Sequence, residues 1–394
     1  MSDSNRLRVS IIKEATFGTT PSSPAMKVLS VTGQSMRDRV GYTQSNIIND
    51  DRNVEELVRL SKSAAGTIPV ELMFSPTGEA LELLLGATMC GVETGNNVAY
   101  TDSSGVTLAG SNKEITVTTN PTTSDRVVVG DIVYVSSDAG SNAGYYKVTA
   151  VTATKITVEA DANFTADSSS VSITRAARRT NGTAEDSFTI EVARLDVNKA
   201  QVFTGCVVNS FDLTIADEAI VTGTLSFEAA NSTFVDDELS SDSDQYISGA
   251  TYTDATAHPV LDSLSVPEIR SAGTSFPAKS VTLNINNNVM ARTELGKLGA
   301  QSMRQGEFNV TGSFEAYFED FVEMKAYADN TAGALWFALI DANSRGYSFS
   351  MPTVKFSDAG ADVSGSNTDT MVGVSFQATL NSTENCTVRL QRWA

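Results

Sequence analysis

Histidine is all but missing from this chain of 394 residues: His258 is the only one, and it precedes Pro259 in a polar stretch. Nucleophilic triads of the Ser-His-Asp or Cys-His kind need an imidazole, so that chemistry has one poor candidate. Cysteine is scarce too. Cys90, Cys206 and Cys386 are odd in number and far apart, which argues against a disulfide framework and paired zinc ligands and leaves buried free thiols. No segment approaches the roughly 18 apolar residues of a membrane span. The most apolar run, residues 80–92, is broken by Glu82, Gly86 and Thr88. Residues 1–10 lack the apolar stretch of a secretory signal, so the expectation is a soluble chain that folds in a reducing cytosol. Positive charge is short as well. Lysine plus arginine number 28 against 47 acids, a net charge of −19, and such a field repels phosphate instead of gripping it.

What the chain has in quantity is strand pattern. With 41% apolar residues it has material for real cores, and its length suits two or three domains. Apolar and polar residues alternate in short runs bounded by Gly, Asn, Asp and Ser, as in Thr67-Ile-Pro-Val-Glu-Leu-Met-Phe74, Ser280-Val-Thr-Leu-Asn-Ile-Asn286 and Glu307-Phe-Asn-Val-Thr-Gly-Ser-Phe314. Such runs predict half-buried antiparallel strands and a mainly β fold. Helical spacing is confined to residues 76–87, with Ser75 as cap and Leu81, Leu84 and Leu85 on one face, and to residues 319–329.

The order of these elements repeats. A strand, a long polar loop, a strand opened by Gly66, a helix and three strands in the first half match a strand at residues 280–286, a loop, a strand opened by Gly306, a helix and three strands in the second. Residues 96–179 have no counterpart and read as an inserted all-β module, with strands at 114–118, 131–136, 145–151 and 155–159. Its turn-rich flanks resemble insertion sites, so the module is expected to be dispensable for assembly. Residues 236–262, acidic and without lysine or arginine, read as a solvated linker. The predicted organisation is a discontinuous first domain (1–95 and 180–235), the module (96–179), the linker, and a second domain (263–394), both domains being β-sandwiches or partial barrels with a flanking helix.

Focused chemistry is hard to find. Asp236-Asp-Glu238, Asp242 and Asp244 offer oxygen ligands but lack the glycine turn and spacing of a calcium loop. Gly296-Lys297 is no phosphate loop, because position 291, where its first glycine belongs, is Ala291. No pair of carboxylates is singled out for glycoside hydrolysis. The expectation is a protein that is not an enzyme and has no catalytic residues, metal or cofactor.

Ile11-Ile-Lys-Glu-Ala-Thr-Phe-Gly-Thr-Thr-Pro21 resembles the opening of tail tube proteins, or major tail proteins, of long-tailed bacteriophages (siphophages). So do Asn49-Asp-Asp-Arg52 with Leu57-Val-Arg59, Gly66 with Glu71-Leu72, and residues 280–288. Gly306-Glu-Phe-Asn-Val-Thr-Gly312, Ala316-Tyr-Phe-Glu-Asp320 and Ser350-Met-Pro-Thr-Val-Lys355 continue the resemblance along nearly the whole chain outside the module. One departure is Arg59-Leu-Ser61, where the family pattern has Arg-Gly-Gly.

The resemblance implies a structural virion protein, made in the host bacterial cytoplasm, whose rings stack into a hollow tail tube that delivers DNA. A chain with two copies of the fold implies a trimer of pseudo-sixfold shape. Implied partners are other copies of itself, the tape measure protein, and tail terminator or tail tip proteins, with phage DNA passing unbound and no membrane involved. The long loops would reach neighbouring subunits through Asp50, Arg52, Glu55 and Arg59 in the first half and Arg292, Glu294, Lys297 and Arg304 in the second. The family's use of this sheet as tube lining, combined with strand alternation, makes Thr67, Glu71, Ser280, Thr282, Asn284, Asn286, Glu307, Asn309, Thr311 and Ser313 the lumen candidates. The competing reading is a bacterial surface-layer or adhesin-like β-protein with a glycan-binding insert.

Overall fold

Alternating sequence becomes alternating burial along most strands. In Thr222–Ala229 the residues Gly223, Leu225, Phe227 and Ala229 point into the core while Thr222, Thr224, Ser226 and Glu228 point away, the two-residue period of a pleated strand with one wet face. The computed structural model describes residues 3–47, 53, 56–91, 100–110, 112–123, 126–138, 142–160, 163–168, 171–236, 239, 244–362 and 369–394. The fold is mainly β, with two α-helices among the described residues, α1 at Ala80–Thr88 and α2 at Val322–Ala328. Helix α1 begins later than the sequence predicts. Gly78 takes φ +83°, so residues 76–79 form a turn, and Ser75, although it stands before that turn, still caps the helix: its Oγ accepts from the first-turn N–H of Glu82 at 3.3 Å.

Two long strands organise the ladders. Lys199–Ala216 pairs along its first part with Phe188–Arg194 and Asn231–Val235, and along its second with Thr222–Ala229 and Ala278–Asn286. Gly346–Asp362 repeats this: Gly333–Ile340 and Arg389–Trp393 flank its first part, and Met371–Ala378 lies beside its second. Each carries a bulge just past the change of partner, between Val208 and Ser210 and between Phe356 and Asp358. Thr222–Ala229 then pairs with Leu57–Glu71, and Met371–Ala378 with Asn309–Tyr317.

The ladders correct the register of the repeat. They place Gly66 opposite Phe227 and Gly312 opposite Phe376, so Gly66 corresponds to Gly312 and not to Gly306. The physical reason is close backbone approach. A Cβ on Gly66 would stand 2.5 Å from Met36 Cα, and one on Gly312 would stand 2.3 Å from the Thr282 carbonyl oxygen. The next residues repeat a hydroxyl pair, Ser35 with Thr67 at 2.9 Å and Thr282 with Ser313 at 2.8 Å. One hydrophobic core, from Val9 and Ile11 to Val388 and Leu390, runs through both halves.

Residues 100–175 contribute a separate seven-stranded sheet with its own core around Ile115, Val133, Val148, Ile156 and Ile173. It does not hang free. Ile132 and Tyr145 pack with Trp336, Ala338 and Trp393, and Gln391 exchanges two hydrogen bonds with the Ile132 backbone (2.6 and 2.9 Å). Beside them Asp131, fully buried, accepts from Arg178 at 2.6 Å, with Arg389 3.5 Å away. Removing the module would expose two tryptophans and strip Arg389 of a buried carboxylate, so its excision carries a stability cost that strand patterns did not reveal. The acidic stretch also docks: Thr251–Thr253 pairs in parallel with Ala25–Leu29, and Leu261 is fully buried with its N–H bonded to the Leu72 carbonyl at 2.8 Å. Residues 251–261 are therefore tied to the first half of the chain, while 237–238 and 240–243 lie outside the described residues.

Gly312→Ala should lower the urea midpoint of the isolated chain by the equivalent of about 1–3 kcal/mol, the usual penalty for forcing a methyl into a packed backbone. Gly360→Ala, where a Cβ meets no atom within 4 Å, should change stability by less than about 0.5 kcal/mol.

Candidate assembly surface

Because directly paired residues share a face, the ladders draw rows across the sheet. Asp212, Asn284, Thr311, Gln377 and Lys355 form one row; Thr214, Thr282, Ser313, Ser375 and Asp358 form the next. Ser210, Asn286 and Asn309 form a third, and Thr67 and Glu71 continue the same face through Ser226 and Thr222. Side chains also bond along it: Asn284 Nδ2 donates to Asp212, and Gln377 Nε2 donates to Asn309 Oδ1 at 3.1 Å. Nine of the ten sequence-selected positions therefore lie half-exposed on one polar face, opposite the buried Val281, Leu283, Ile285, Val310 and Phe314. Glu307 departs from them. It precedes the strand Asn309–Tyr317, and its carbonyl accepts from Asn288 Nδ2 at 2.7 Å.

Sequence reasoning missed the basic residues at the borders of this face. Lys355 enters it because the bulge after Phe356 puts Lys355 and Asp358 on one side. Arg37, opposite Ala65, and Arg39, 3.3 Å from Glu228, stand at the other border. A bulge leaves no mark in single-sequence alternation.

The long loops are protruding hairpins. Arg37–Gln44 pairs with the first part of Leu57–Glu71, and Tyr42, Leu57, Val58 and Leu60 are exposed there together with Arg59. In the second half Met290–Arg292 pairs with Ser302–Arg304. Arg292, Glu294, Lys297 and Arg304 are exposed beside the exposed Met290, Leu295 and Leu298, and Arg304 Nη2 lies 3.6 Å from Met290 Sδ. Asp50, Arg52 and Glu55 lie outside the described residues. Exposed apolar side chains thus cluster on both hairpins.

The helices differ in the same sense. Leu81, Leu84 and Leu85 of α1 are buried, and Glu82 accepts from Arg179 Nη2 at 2.6 Å. Helix α2 has no buried residue, and Tyr317, Phe321, Val322 and Tyr327 around it are exposed.

The remaining reactive groups serve the fold. His258 sets its ring edge against Phe74, centroids 5.1 Å apart. All three thiols are buried and free; burial pushes Cys90 up to about 12 and holds Cys206 well above its ordinary range. Glu14, from the opening motif, is buried but satisfied, accepting from the Gly205 N–H and Thr189 hydroxyl (both 2.9 Å) and from the Gly18 N–H and Ser187 hydroxyl (both 2.8 Å). It staples the first loop to Lys199–Ala216. Among the described residues, no group of three His, Cys, Asp or Glu is placed to hold a metal ion, and no helix is long and apolar enough to cross a membrane.

A family model described as phage tail tube protein matches residues 4–378. A comparison with curated proteins finds no significant match.

The thiols give a pH test. Cys90 is neutral in the folded chain well above its ordinary value near 9, so its contribution is complete below that value and is lost as pH rises toward about 12. Denaturation midpoints should fall over that interval, by at most about 1.4 kcal/mol per pH unit from this group, and Cys90→Ala should flatten the fall. Ellman titration near neutral pH should find the thiols unreactive until the chain is denatured.

Proposed function

We propose that this chain, which belongs to the phage tail tube protein family, closes as three copies into a ring of pseudo-sixfold shape, that such rings stack into the hollow tail tube, and that phage DNA passes through the lumen to the host. The role is structural, with no catalytic step. The carrying observation is the duplicated ladder: Lys199–Ala216 and Gly346–Asp362 with their matching bulges and partners make one chain two ring units. Closed symmetry is the usual solution for homo-oligomers, and three such chains supply six units.

On this reading each unit is one domain, residues 1–95 with 180–235 and residues 263–394, with residues 96–179 as an outward module and 236–262 as the connection. The lumen wall is the polar face of Thr67, Glu71, Ser280, Thr282, Asn284, Asn286, Asn309, Thr311 and Ser313, with Glu307 at its edge and Lys355, Arg37 and Arg39 confined to its borders, where Asp358 and Glu228 stand as acidic counterparts. Serine, threonine, asparagine and carboxylates let a polyanion slide, since affinity for a phosphate backbone comes chiefly from lysine and arginine. The exposed hairpins around Arg59 and Lys297 meet neighbouring subunits or the next ring, and tape measure and tail-end proteins are the remaining partners. The chain is made in the host cytoplasm and resides in the virion tail.

Electron microscopy of assembled tubes tests the ring directly. Three chains per ring are expected, and six would exclude the duplicated-unit arrangement. Arginine at Asn284, Asn309 and Thr311 should leave tube assembly intact and slow DNA ejection several-fold, more at low salt where screening is weakest. Unchanged ejection from well-assembled mutant tails would place this face elsewhere.

A further inference from the structure

The two halves of the chain meet where Lys199–Ala216 pairs with Ala278–Asn286, from Ser210↔Asn286 to Ala216↔Ser280. The repeat says what stands in for each side of that seam elsewhere in the chain. Ser210 to Thr214 correspond to Asp358 to Asp362, because both runs follow the bulge and pair with matching strands. Asn286 to Thr282 correspond to Arg39 to Ser35: Thr282 and Leu283 lie opposite Ser313 and Gly312, and Ser35 and Met36 lie against Thr67 and Gly66. Among the described residues, 358–362 form a ladder only with Met371–Ala378, and Arg37–Gln44 only with Leu57–Glu71. Each therefore has an unpaired edge.

We propose that residues 358–362 of one copy pair antiparallel with residues 35–39 of the next, in the register Asp358↔Arg39, Gly360↔Arg37 and Asp362↔Ser35. The seam between copies then reproduces the seam inside each chain. This rests on the ring reading above and identifies the edges that close the ring.

Three independent features favour a second copy of this chain as the occupant. Charge is complementary: Asp358 and Arg39 point to the polar face of their own sheets, as do Asp212 and Asn284, which hydrogen-bond across the internal seam. Burial is incomplete on one side only: Phe211 and Leu213 are fully buried beside the internal seam, whereas their counterparts Ala359 and Ala361 remain half-buried. The helices agree. Helix α1 packs on Lys199–Ala216, and its Thr88 carbonyl accepts from Asn287 Nδ2 at 3.2 Å, just past that seam. Helix α2 packs on Gly346–Asp362 without a buried residue, as expected if the next copy supplies its cover.

Cysteine cross-linking in full-length tubes tests the register. Arg37→Cys with Gly360→Cys places thiols on directly opposed residues, within disulfide reach, and Gly360 has open space for the new side chain. Oxidation should link copies into a species that closes at three chains, whereas Arg37→Cys with Ala359→Cys, displaced by one residue onto the other face, should not link. Tubes whose links favour the displaced pair, or that show none, overturn the seam and leave the tube reading standing. A wild-type chain that forms neither rings nor tubes overturns both. Hydrogen exchange on wild-type material covers the case in which the variants do not assemble. Amides at 35–39 and 358–362 should slow on assembly, and unchanged exchange in intact tubes rejects the seam.

Discussion

Everything in this molecule hangs on a strand that belongs to two ladders at once. Lys199–Ala216 is 18 residues long and has paired neighbours on both edges along most of its length, so its backbone must change partners without leaving groups unsatisfied. The bulge after Val208 makes the change by re-aiming the chain while both parts keep their hydrogen bonds. Gly205, at φ +64°, sits next to that change of partner, and its N–H is taken by Glu14 at 2.9 Å. A buried carboxylate that accepts from four donors is well compensated, which explains why an acid sits in so apolar a setting.

The small sheet shows the opposite economy. Its own core is modest, and it borrows stability from the second half through Trp336, Trp393 and the charges around Asp131. Burial pulls the Arg175 guanidinium down to about 10, while Asp131 beside it acts in the other direction. Such clusters contribute little net energy but are costly to break from one side, so they fix where the module sits more than how tightly it holds.

How much was legible follows from which interactions are local. The module strands 132–136, 144–151 and 155–158 fell within a residue or two of their sequence limits, because alternation and turn residues define them without help. The repeat was legible as an order of elements but not as a register. Gly306 and Gly312 look alike in a string, and both have backbone close by; only the ladder, which sets Gly312 opposite Phe376 as it sets Gly66 opposite Phe227, tells them apart. Likewise residues 236–262 read as solvent because they are acidic, yet Leu261 and Thr251–Thr253 find partners in strands far away in the chain.

By itself the sequence determined the chemistry of the faces: which side of each strand is apolar, which is serine, threonine and asparagine, and that positive charge is scarce. Those properties depend on residue type and a period of two, and both are written along the chain. Tertiary structure alone decided which strands share a face, where the bulges bring Lys355 and Asp358 to one side, and which edges remain unpaired. Pairing between segments far apart in the chain, such as Ser210 with Asn286 and Asn209 with Val289 across the boundary of the halves, together with Arg389 beside Asp131, is set by the summed packing of the whole chain. No local pattern carries it.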